Sequence, residues 1–86
     1  MTLFDKIKAA QIAAHLLIKK NTSITERELI LVKALMDAGV ENFEVVGEKP
    51  SAGANLSIIE MKDKFRVNYR CGYSRHNYAP CIEIKK

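Results

Sequence analysis

The chain lacks any apolar run long enough to cross a membrane. Its longest, Leu29 to Val32, falls far short of the roughly 20 residues required. The start, Met1-Thr2-Leu3-Phe4-Asp5, has no basic stretch ahead of an apolar one. No secretory leader is therefore expected, and a reducing, cytoplasmic compartment is. Glycine is scarce, with four residues at 39, 47, 53 and 72 that never form G-x-G, so no loop is built to cradle phosphates. The two histidines, His15 and His76, lie in different halves, which leaves no Ser/His/Asp set. Paired carboxylates are weak as well: Glu26 and Glu28 fall in a helical first turn, where acids suit the dipole, and Asp63 is a turn residue. A Cys–His nucleophile would need an orienting group and oxyanion donors, and no local signature supplies them. These absences point away from catalysis, and no cofactor is expected.

What is present describes one small domain. The 86 residues are 48% hydrophobic and 28% charged, ordinary for a globular chain and wrong for a disordered one. Fourteen basic residues against ten acidic give a net charge of +4, a mild lean toward polyanions.

Hydrophobic periodicity divides the chain into a helical half and a strand half. Residues 3–20 read as an amphipathic helix, with Asp5, Lys8, Gln11, His15 and Lys19 on one stripe and Leu3, Ile7, Ala10, Ala14 and Leu17 opposite. Thr2 and Asp5 form a capping box, and Asn21 is placed to end the helix in the left-handed conformation. Residues 26–38 read as a second helix, capped by Thr25 with Glu28 and ended by Gly39, with Val40 against Leu35 in a Schellman motif. Only Lys33 and Asp37 mark a wet stripe on it. It should be covered on most of its circumference, by the first helix and a sheet or by a second copy of the chain.

Beyond Gly39 the period shortens toward two. Strands are expected at 42–47, 55–61, 65–70 and 81–85, with a loop at 48–55 and a polar turn at 62–64. The phase shift within 55–61 suggests a bulge there, or burial of both faces. The resulting architecture is α+β: an N-terminal helical hairpin packed on a small antiparallel sheet of three or four strands, connected as a meander. Phe65, Val67 and Tyr69 point inward. The opposite face, carrying Arg66, Asn68, Arg70, Glu83 and Lys85, is expected to be partly solvated.

The segment 66–86 holds the only clustered arginines, Arg66, Arg70 and Arg75, together with Lys85, Lys86 and every tyrosine of the chain, Tyr69, Tyr73 and Tyr78. Arginine forks match phosphate oxygens and tyrosine rings stack on bases. Arginine and tyrosine are also enriched at protein–protein hot spots. The expected binding surface is Arg66, Asn68, Arg70, Tyr73, Arg75, Tyr78 and Lys85. Its favoured partner is another protein, on which a small regulatory or inhibitory chain would dock; the alternative is single-stranded RNA or DNA. No membrane partner is expected, and homo-oligomerisation through helix 26–38 is a further expectation.

Cys71, His76 and Cys81 have the spacing Cys-x4-His-x4-Cys, with Gly72 after the first cysteine. This resembles the last three ligands of a retroviral-type zinc knuckle, and the resemblance implies zinc and single-stranded nucleic acid. The position of the knuckle's first cysteine is Asn68, whereas structural zinc takes four Cys or His donors. The chain is therefore read without a metal, and the three residues stand as the metal candidates. Two free cysteines near the ends of a hairpin loop are the preferred reading. Cys71 is in phase with the core and Cys81 out of phase with Ile82 and Ile84.

Overall fold

The computed structural model describes residues 1–50, 56–70 and 78–86. Two helices are followed by a four-stranded antiparallel sheet, an α+β fold. The chain forms two compact units, residues 1–41 and 42–86. Among the described residues no helix is long and apolar enough to cross a membrane.

In the first unit, α1 spans Leu3–Leu17 and α2 spans Ile24–Asp37. Thr2 caps α1 as expected: its hydroxyl accepts from the Asp5 N–H at 3.1 Å, and its own N–H donates to the Asp5 carboxylate at 3.3 Å. Ile7, Ala10 and Ala14 form the buried stripe of α1. The helix ends three residues before position 20 because Ile18 turns extended and is buried. Its former partners are replaced locally. The Lys19 N–H donates to Thr22 Oγ1 at 2.8 Å, and Arg27 donates to the carbonyls of Thr22 and Lys19 at 3.0 and 3.2 Å. Asn21 is not left-handed; the only non-glycine residue with positive φ among those described is Leu56.

α2 begins two residues earlier than the sequence suggests. Ser23, not Thr25, is the N-cap, and its hydroxyl accepts from the Glu26 N–H at 3.1 Å. The run Ser23-Ile-Thr-Glu26 has the same spacing as Thr25 to Glu28, so two overlapping caps competed and the earlier one lengthens the helix. Ser23→Ala should cost about 1 kcal/mol in urea denaturation, and Thr25→Ala no more than about 0.5 kcal/mol. A reversed order would place the cap at Thr25. The C-terminal end is the expected Schellman motif: Val40 N–H donates to Leu35 O at 2.9 Å, Gly39 N–H to Met36 O at 3.0 Å, and Gly39 has φ +88°.

α2 is not covered all round. Leu31, Ala34 and Leu35 are buried, but Leu29 and Met36 are largely exposed. Between α1 and α2 lies an open apolar groove of about 320 Å³.

The second unit holds β1 (Phe43–Pro50), β2 (Ile58–Glu60), β3 (Lys64–Asn68) and β4 (Tyr78–Lys85) in the order β1-β4-β3-β2. This is not a simple meander. β2, β3 and β4 follow one another, while β1 lies beside β4 on the far edge, as in a Greek key. The bulge lies in β1, not in 55–61: Val45 pairs with Ile82 and Gly47 with Cys81, leaving Val46 as the extra residue. Gly47 adopts φ +77°, which a side chain would strain. Past the bulge, β1 continues through Glu48, Lys49 and Pro50, which the sequence assigned to a loop. The phase shift near Leu56 has another cause: Leu56 is left-handed and buried outside β2, so its burial comes from a turn.

Candidate functional site

The two central strands carry most of the residues picked from the sequence. β3 pairs with β4 so that Arg66 lies opposite Glu83, Asn68 opposite Cys81 and Lys64 opposite Lys85. All of these share one sheet face, as the alternation implied. That face is not a free basic platform. Arg66 Nε and Nη2 both donate to Glu83 Oε2, at 3.1 and 2.9 Å. Lys64 Nζ donates to Glu83 Oε1 at 3.0 Å, and Arg66 Nη1 to the Pro50 carbonyl at 3.1 Å. The Arg66 and Glu83 side chains are only 13% and 10% exposed. Burial pushes the Glu83 carboxyl up, but hydrogen bonds from Lys64 and Arg66, with their charges, outweigh it and hold the group below its ordinary value.

Arg70 is committed in the same way: Nη2 lies 2.8 Å from Glu48 Oε1 on β1. Lys86 pairs with Glu60 at 2.9 Å and sits over the Phe65 ring, 4.9 Å from its centroid. Asn68 is buried, contrary to the solvated face expected of it. Its side-chain amide donates to Ser57 Oγ, and its backbone N–H donates to the Ser57 carbonyl. It secures the residue that leads into β2. Tyr69 is buried, as its phase indicated.

Among the described residues, Tyr78 and Lys85 are the exposed members of the predicted surface, and the fold does not bring them together. They sit at opposite ends of β4, about 24 Å apart along an extended strand. Tyr78 lies opposite Pro50, next to Lys49 and Glu48 on β1. Glu48 lies on the same face as Tyr78 and Lys49 on the other; both are exposed strand residues that the sequence reading placed in a loop. Glu83 and Lys64 were not assigned to the site either. The signal was available for Glu83, since opposite charges in the same phase of neighbouring strands tend to pair.

Tyr73, Arg75, Cys71 and His76 lie outside the described residues. Cys81, the described member of the metal set, is buried with a free thiol. The sequence had it out of phase with the core. However, the β4 centre is buried on both faces, through Cys81 and Ala79 on one and Ile82 and Ile84 on the other. The thiol donates to the Gly47 carbonyl at 3.4 Å. Burial pushes its pKa up, against lowering by Arg66. Among the described residues, no group of three His, Cys, Asp or Glu side chains could hold a metal ion.

No family model, curated protein or solved structure matches this chain.

Proposed function

We propose that the chain is a non-enzymatic binding module, regulatory or inhibitory in kind, that docks on another protein through the β1–β4 end of its sheet. The observation that carries this reading is the ion pairing of Arg66 and Arg70. Through the Pro50 carbonyl and Glu48 the two arginines tie the end of β1 to the sheet, and Arg66, its fork on Glu83 and only 13% exposed, is not free to grip phosphates. The surface they leave presents Tyr78 as an aromatic anchor beside Pro50, with Glu48 two residues along β1 on the same face as a polar rim. An amphipathic aromatic centre with a polar rim is how protein interfaces are made, and a single such anchor often dominates affinity.

The test has two arms. Fluorescence anisotropy with labelled single-stranded RNA, single-stranded DNA and duplex should show only weak binding that disappears with moderate salt. Tight binding with a salt slope of about 0.7 per phosphate contact would instead establish the nucleic-acid reading. In the second arm, a protein captured by the wild-type chain should be bound by Tyr78→Ala roughly 30-fold more weakly, as for a hot spot worth about 2 kcal/mol. A partner indifferent to Tyr78→Ala would overturn the assignment of the surface.

A further inference from the structure

We infer that the helical unit binds a second copy of itself, the groove between α1 and α2 of one chain receiving the same face of the other. The groove is shallow-floored because alanines line it: Ala9, Ala10 and Ala13 on α1 and Ala34 on α2, bounded by Leu17 and Ile30. Beside it, Ile12 and Leu16 stand one turn apart on α1, 55% and 70% exposed. Ala9 and Ala13 lie next to them around the same helix. Knobs and holes therefore share one face, which is what an isologous contact requires: residue i meets j while j meets i.

The charge at the groove selects the occupant. Its polar rim on α2 is one cation and one anion, Lys33 and Asp37, 80% and 68% exposed and only loosely paired at 3.7 Å. A rim with no net charge offers nothing to a strongly acidic or basic peptide. A two-fold axis that runs α2 antiparallel to its copy brings each Lys33 to the other chain's Asp37. Two hairpins of 15- and 14-residue helices, each roughly 22 Å long, then complete a four-helix bundle. The helical unit has 41 residues, near the size at which oligomerisation commonly supplements a small core.

Sedimentation velocity on the full chain, from micromolar to near-millimolar concentration, reads the inference directly. The wild-type mass should rise from one copy to two. Ala13→Asp, at an exposed position, should remain one copy throughout while keeping the helical circular dichroism of the wild type. Lys33→Asp should weaken association about tenfold at low salt, by placing like charges across the two-fold axis. Lys33→Asp combined with Asp37→Lys should restore it. A single copy at every concentration, a dimer unaffected by Ala13→Asp, or a charge swap that fails to restore association would each overturn the inference.

Discussion

Arg66→Ala is expected to lower stability by about 3 kcal/mol, because it strands most of a buried carboxylate's hydrogen bonding. For a chain of this size that is a drop in Tm of roughly 12–20 °C. Three contacts are lost together: the two bonds to Glu83 Oε2 and the bond to the Pro50 carbonyl. Lys64 still reaches Oε1, so the anion is not wholly abandoned. Arg70→Ala breaks one more exposed contact, to a Glu48 side chain that is 59% exposed, and should cost no more than about 1 kcal/mol. A double-mutant cycle between Arg66 and Glu83 should return a coupling of about 2 kcal/mol, and Arg66→Met with Glu83→Leu should regain most of the loss. Additive single effects would show that the pair contributes nothing as a pair.

The same cluster gives the chain a dependence on acid. The carboxyl of Glu83 titrates lower in the folded state than in the unfolded chain, where it has a pKa of about 4.3. Its stabilisation is complete above that unfolded value and is lost as pH falls through the folded one. The gap in stability between the wild type and Arg66→Ala should therefore be full at neutral pH and close toward strong acid. Urea melts of both proteins across that range read it, and a constant gap would mean that Glu83 is not the group Arg66 serves.

The alternation of β3 was legible in the sequence because burial enforces a period of two. Phe65, Val67 and Tyr69 are buried as read. The fate of the opposite phase was not legible. Whether Arg66 meets phosphate or carboxylate depends on which residue register puts across from it, and Glu83 is 17 positions away. The Greek-key order is equally remote from local signals, since nothing near β1 announces that it will pair with the last strand. The bulge at Val46 is what lets β1 run on to Pro50, and it is written in one glycine, Gly47, which the local pattern places in the strand without marking a bulge. The N-terminal cap of α1 and the Schellman end of α2 are local chemistry and were readable. The start of α2 was misplaced where two capping patterns overlapped by two residues.

Burial on α2 does not follow its apolar composition. Leu35→Ala should cost about 3 kcal/mol, since the Leu35 side chain is fully buried and its loss leaves a cavity. Leu29→Ala should change stability by no more than about 0.5 kcal/mol: Leu29 is 62% exposed, and alanine is the better helix former. The sequence cannot separate the two, because four consecutive apolar residues from Leu29 to Val32 must point to every side of a helix. Only three of the apolar residues on α2, Leu31, Ala34 and Leu35, are buried. The free energy holding the helix should follow those residues and not the apolar count. Equal costs at Leu29 and Leu35 would mean that α2 is enclosed on both sides in solution, and that its outer face with Met36 is itself an interface.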